Sequence, residues 1–502
     1  MTPTTSTARA RACDSSFPRL VLLCLCGVFA LAATVSLPAQ APDRSHPPQP
    51  GQAPVLRPPT ILKQRLSNGL AVWIVEMHDV PVAQINLVVA SGTTDDPPGK
   101  FGVGSLAAAM LEDGAGSRSA LEIADAIDYL GADLGASSGV DSSAVRLHVP
   151  VARLADALPI MADVALRPTF PKDELERQRA QRLTSLLQSR DDAPTVSSLA
   201  FSRVLYGKAH RYGTAMMGTA ETIRTFTADD LRAFYASAFR PEKATLIAVG
   251  DITPALVMPL LERHFGTWKA AGAAASEKLP PIGQPAARQV YIVDKPGAPQ
   301  SQIRIGRVGV PRSTPDYFPI QVLNTILGGS FSSRLNMNLR EEHGYTYGAN
   351  SNFDMRVASG PFAAAAGVQT DKTAESLKEF FNEFAAILKP VPAEELSRAK
   401  NYVALRYPAG FETTGDLSRQ LENALIYHLP DDYFGTYVQR IQAVTAGDVQ
   451  RVARQYLAPD RLAVVVVGDV KVIEPGIRAL KLGTVTVMSV DDVFGPKPQS
   501  VP

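Results

Sequence analysis

Cysteine is nearly absent. The 502-residue chain has three, Cys13, Cys24 and Cys26, and none after position 26. Beyond that point no disulfide and no thiolate metal site can form. The histidines are few and scattered. His46, His78, His148, His210, His264, His343 and His428 include no two close enough to make a local metal pair. Glutamate is missing from Arg177 to Ala220. An excess of one charge is missing too. The net charge is +1, and no basic run occurs, which excludes a dedicated nucleic-acid surface. What is plentiful is apolar sequence, 45% of residues against 20% charged. A sizeable core is therefore available, and at this length it divides into several domains. Burial alone can hold such a protein without disulfides.

The first 41 residues read as an export signal. Arg9, Arg11 and Arg19 give a basic start, residues 20–37 an apolar stretch, and Ala39-Gln40-Ala41 a small-residue cleavage site. The alternative is a retained anchor through residues 20–37, a stretch just long enough to span a bilayer. The expectation is export, to the periplasm in a two-membrane bacterium. Residues 42–59 hold seven prolines and read as a tether of polyproline character.

The body of the chain repeats itself at a spacing of 218 residues. Val72-Trp73-Ile74-Val75 answers Val290-Tyr291-Ile292-Val293, and Gln84-Ile85-Asn86-Leu87 answers Gln302-Ile303-Arg304-Ile305. Thr227 and Asp230 answer Thr445 and Asp448, Pro241 answers Pro459, and Ala248-Val249-Gly250-Asp251 answers Val466-Val467-Gly468-Asp469. A period this long means duplicated domains rather than a solenoid. Each half opens with alternating, β-branched strands and continues with helical stretches. It closes with a helix, a proline turn and a buried strand. Strands and helices without strict alternation predict an α+β fold of two homologous layered α/β domains. The boundaries read as a first domain at 60–269, a linker at 270–285, a second domain at 286–475 and a C-terminal tail at 476–502.

Five segments carry a family likeness. Arg65 to Thr94, Phe101 to Gly114, Lys208 to Asp251 with His210-Arg211-Tyr212-Gly213, and Leu327 to Tyr347 together resemble the insulinase/pitrilysin metallopeptidases, and Val444 to Asp469 resembles their closing segment. That family carries zinc on an H-x-x-E-H helix, with a distal glutamate roughly seventy to eighty residues on. The likeness implies that the two domains face each other across a cleft, and it places Ser105, Ala108 and Ala109 at the three motif positions. The distal position falls near Ser185 or Leu186, where no glutamate stands. Alanine has no donor atom, and serine is a poor zinc ligand. The expectation is therefore that this chain binds no metal and no cofactor of its own. Arg177, Arg179 and Arg182, with Glu174 and Glu176, read as a solvated helix face of i,i+3 and i,i+4 pairs.

Arg340 and Tyr347, seven residues apart, match a pair that in active relatives reaches across the cleft to the substrate backbone. Tyr345 is the neighbouring candidate. A guanidinium and a phenol are donors suited to an oxyanion where water is excluded. Some family members work as heterodimers in which one subunit carries zinc and the other supplies these donors. By that resemblance the partner is a zinc-bearing sibling and the substrate an unfolded peptide. The competing reading is an inert scaffold or binding member of the same family. A self-sufficient peptidase with a rebuilt site is the third, opposed by the loss of every ligand.

Overall fold

The β-branched runs form two six-stranded mixed sheets in a computed structural model that describes residues 57–270, 279, 280 and 282–497. The export segment, most of the proline-rich tether and residues 271–278 and 281 of the linker lie outside the described residues. No helix among the described residues is long and apolar enough to cross a membrane.

The first sheet contains β1 (Leu62–Arg65), β2 (Ala71–Glu76), β3 (Val82–Val89), β4 (Asp133–Ser138), β5 (Ser143–Pro150) and β6 (Ala244–Gly250), in the order β1-β2-β6-β3-β5-β4. The second contains β7 (Gln289–Asp294), β8 (Gln300–Val308), β9 (Thr346–Phe353), β10 (Pro361–Gln369), β11 (Ala463–Gly468) and β12 (Thr484–Met488), in the order β9-β10-β8-β11-β7-β12. Read from opposite ends, five strands correspond one to one. The repeat extends to register: Val72 pairs with Leu246 as Val290 pairs with Val464, and Ile85 with Ala248 as Ile303 with Val466. The outermost strand differs. In the first sheet β1 folds back antiparallel on β2, whereas in the second β12 runs parallel to β7.

Eight helices position the site: α1 (Val103–Ala109), α2 (Lys172–Asp191), α3 (Ala193–Tyr206), α4 (Ala228–Ala238), α5 (Tyr317–Leu327), α6 (Thr414–Ile426), α7 (Ala446–Tyr456) and α8 (Val490–Phe494). The Thr and Asp that recur in the sequence are N-caps. Thr227 and Asp230 form a capping box on α4, as Thr445 and Asp448 do on α7. α1 packs on α4 as α5 packs on α7.

Each sheet is covered on its second face by a helix of the other half. α3 lies on β8 and β11, and α6 lies on β3 and β6. Apolar residues of both halves therefore share each core. Val465 and Val467 pack with the first half, and Val88 and Val249 pack with the second. This double covering explains why every residue of β6 and of β11 is buried, and why both read as apolar runs, interrupted in β6 only by Thr245. Gly306 lets α3 approach, since an added Cβ would stand 2.9 Å from the Phe201 ring. A bidentate ion pair ties α6 to the first sheet: Arg146 donates to Glu422 at 3.0 and 2.7 Å, and Asn86 adds a 2.7 Å bond.

The segment read as a short tail is folded. After Asp469 the chain forms a helix at Val470–Ala479, then β12, then α8. α8 returns to the first half. Val493 is fully buried, and Phe494 lies beneath the Arg190 guanidinium, 5.6 Å from the ring centre. Arg190 pairs with Asp491 and donates to the Gly495 carbonyl at 2.8 Å. The sequence hid this because the anchoring partners are some three hundred residues away. Phe494→Ala should cost about 3 kcal/mol, as for a buried phenylalanine. A lower urea midpoint checks it, and an unchanged one would mean that α8 contributes no packing.

Candidate functional site

The helix at the degenerate motif is built from its N-terminus. At Gly102 the backbone turns left-handed (φ +102°), and an added Cβ would stand 2.4 Å from the Met217 carbonyl oxygen. Asp96 then accepts from the N–H of Gly102 at 2.7 Å and of Gly104 at 2.8 Å. A carboxylate here satisfies free donors of the first turn and complements the helix dipole. Arg211 completes the arrangement. Its Nε donates to Asp96 at 2.9 Å and to the Thr93 carbonyl at 2.6 Å. Its other nitrogens donate to the carbonyls of Thr214, Ala215 and Met216. The pair is sealed from solvent, with 3% and 0% of the two side chains exposed. The sequence displayed Arg211 within a motif but not its partner.

Further along α1, Ala108 is buried, while Ser105 and Ala109 are half-buried. The Ser105 hydroxyl is engaged. Arg182 of α2 donates from Nη1 to Ser105 Oγ at 2.7 Å and from Nη2 to the Ser105 carbonyl at 2.9 Å. Burial pushes the Arg182 guanidinium down to about 10, with Asp96 opposing the shift. Its Nε is buried without an acceptor. This corrects the reading of α2 as a uniformly solvated arginine face. Arg177 pairs with Glu174 and Asp113, and Arg179 with Glu176. Arg182 shares the inward face with Leu175 and Leu186, seven residues before it and four after.

Two alanines, an occupied serine and a nearby guanidinium do not fit a zinc ion. The alanines offer no donor, and a fixed cation repels another. Among the described residues no group of three His, Cys, Asp or Glu side chains is placed to hold a metal. A graft tests the role of Arg182. With Ser105→His, Ala108→Glu, Ala109→His and Ser185→Glu in place, adding Arg182→Leu should tighten zinc binding at least about tenfold, given the repulsion expected between close charges. Competition with a chromophoric chelator measures it. Equal affinities would show that the guanidinium is no obstacle.

Beside this helix runs the edge strand β4. Glu112, just after α1, accepts from the Ala136 N–H at 3.0 Å and so occupies one donor of the open edge. Burial raises the Glu112 carboxyl, with the Ala136 N–H opposing.

In the second half the short helix Arg334–Asn336 continues as a π-turn, Met337–Glu342, and Arg340 lies in that turn. Such wider turns commonly mark functional sites. Arg340 lies over the Phe331 ring at 4.6 Å and approaches Glu341 at 3.3 Å, with 37% of its side chain exposed. Tyr347 opens the edge strand β9 within a register shift and is 89% exposed. Tyr345 is different: it is half-buried, and its ring stacks on His343 at 4.9 Å. His343 also comes within 4.0 Å of Glu379. The turn at Gly328 and Gly329 is one of close packing, because an added Cβ would meet Ser351 N at 2.3 Å and Asn324 Nδ2 at 2.7 Å. Among the described residues no hydrogen bond, ion pair or ring contact joins Arg340 or Tyr347 to Ser105, Ala108 or Ala109.

The chain is similar to known proteins in sequence and in fold. Residues 72–212 match the family model for insulinase (peptidase family M16), and residues 225–403 that for the peptidase M16 inactive domain. An uncharacterized zinc protease of Bacillus subtilis, YmxG, is 24% identical over 80% of this chain and 96% of the relative. An uncharacterized zinc protease of Streptomyces coelicolor is 25% identical over 82% of this chain and 90% of the relative. Among solved structures, a peptidase M16 inactive domain from Pseudomonas fluorescens superposes with a TM-score of 0.75 and 28% identity, covering 81% of this chain and 98% of that one. A protease from Helicobacter pylori shares the fold with a TM-score of 0.74 and 21% identity, covering 82% and 99%.

Proposed function

The chain belongs to the insulinase family of peptidases, M16, and from that premise we propose that it is the subunit without zinc in an exported heterodimeric peptidase. Arg340 and Tyr347 act in trans, binding the backbone of an unfolded peptide and stabilising the oxyanion while a zinc-bearing sibling supplies the metal. The observation that carries this reading is the contrast between the two motifs. At the degenerate helix the side chains are consumed internally, with Arg182 spent on Ser105. At the other motif Tyr347 stands 89% exposed, and 37% of the Arg340 side chain is exposed. A tyrosine kept for packing would bury its ring. An arginine held over an aromatic face keeps its donors aimed without losing their charge.

The test is peptide cleavage by the mature chain alone, by the zinc-motif sibling alone and by the mixture. The expected result is silence from this chain and cleavage by the mixture well above that of the sibling. If the sibling cleaves equally well alone, the in-trans role fails and an inert scaffold or binding member becomes the better description.

A further inference from the structure

Some half-buried cations of this fold meet carboxylates, as Arg146 meets Glu422 and Arg334 meets Glu395. One cleft gathers cations that do not. It measures about 1010 Å³ and lies between α3, the loop after it, the helix Ala220–Thr225 and the segment following α8. Arg203, Lys208, Arg224 and Lys497 line it, against a single carboxylate, Glu221. None of these four cations forms an ion pair among the described residues. Arg203 is the most telling. It is half-buried, it donates only to the Val493 carbonyl at 3.1 Å, and its Nε is enclosed without an acceptor. A desolvated guanidinium left without an anion is costly, and charge-assisted bonds to a carboxylate would relieve it.

We propose that this cleft binds an acidic peptide segment, its carboxylates meeting Arg203, Lys208, Arg224 and Lys497 and its apolar side chains lying against Phe101 and Phe494. The volume suits an organic ligand or a few residues of chain rather than one small ion. The two phenylalanines provide apolar walls that a free inorganic anion would not use. The cleft belongs to the first half and to the segment after α8. It therefore stands apart from Arg340 and Tyr347 and does not depend on the function proposed for them.

The experiment is fluorescence anisotropy on the full chain with a labelled hexapeptide alternating glutamate and phenylalanine. A second peptide has glutamine in place of glutamate. Lys208→Glu with Arg224→Glu is the variant, since both residues are exposed and an unchanged melting curve will show that the fold is intact. The glutamate peptide should bind, weaken as salt rises, and lose at least about tenfold in affinity in the variant. Absence of binding, equal binding to the variant, or equal binding of the glutamine peptide would overturn the proposal. Displacement of the peptide by inorganic phosphate at matched concentration would overturn it in favour of a small-anion site.

Discussion

Arg340→Ala should abolish most of the reconstituted peptidase activity while leaving the subunit as stable as before. The expected loss in kcat is about 10²-fold or more, the effect of removing one preorganised donor from an oxyanion. Stability should change by no more than about 0.5 kcal/mol, because the side chain is half-exposed and its contacts are one ring face and one neighbouring carboxylate. Tyr347→Phe isolates the second donor. It removes only a hydroxyl from a side chain that is 89% exposed, so neither packing nor assembly should respond. Activity should fall about 10²-fold, with a smaller effect on KM, if the hydroxyl acts mainly in the transition state. Tyr345→Phe is the internal control, since that ring is stacked on His343 and should tolerate the change. If Arg340→Ala and Tyr347→Phe both leave turnover unchanged, the pair has no catalytic role.

Arg211→Met should destabilise the protein by about 3–5 kcal/mol, the cost of breaking a buried ion pair from one side. That is a large share of the roughly 5–15 kcal/mol that holds a typical domain. Arg211 neutralises Asp96 and also donates to the carbonyls of Thr93, Thr214, Ala215 and Met216, all of which would lose a donor. Urea unfolding followed by tryptophan fluorescence measures the change, and Trp268 is buried enough to report it. The penalty should depend on pH with a definite sign. Burial raises the Asp96 carboxyl to about 6, against the opposing influence of Arg211 and of the Gly102 and Gly104 N–H groups. A carboxyl raised above its unfolded value favours the folded state when protonated, and that contribution is lost as pH rises through the folded value. Without Arg211 the raised value climbs further, so the variant should be hurt more at pH 8 than at pH 5. Adding Asp96→Asn should restore part of the loss, because the unpaired charge is then gone. A penalty independent of pH would show that Arg211 acts only through its carbonyl contacts.

The two motifs differed in how much of them could be read before the fold was known. The 218-residue repeat was legible because β-branched runs and Thr…Asp caps are local signals. Both halves kept them in step, down to the pairing of Ile85 with Ala248 and of Ile303 with Val466. The lost zinc ligands were legible for a simpler reason. A side chain without a donor atom cannot bind a metal in any fold, so Ala108 and Ala109 needed no coordinates. Arg182 was misread because Arg177 does face solvent and the i,i+3 pairs of Arg177 and Arg179 are local, so the three arginines read as one face. Only the angular position of residue 182 against α1 turned it inward.

Sequence alone therefore determined the family resemblance, the duplication and the absence of zinc ligands, because each depends on residue identity at short or regular spacing. Tertiary structure decided where the unpaired groups meet. It exchanged α3 and α6 between the halves, closed Asp96 on Arg211 and returned α8 to Arg190. It left Tyr347 in solvent and gathered Arg203, Lys208, Arg224 and Lys497 around one cleft. These are contacts between residues far apart in the chain. Their cost and benefit are set by burial and by the charges that face them, and neither exists until the chain has folded.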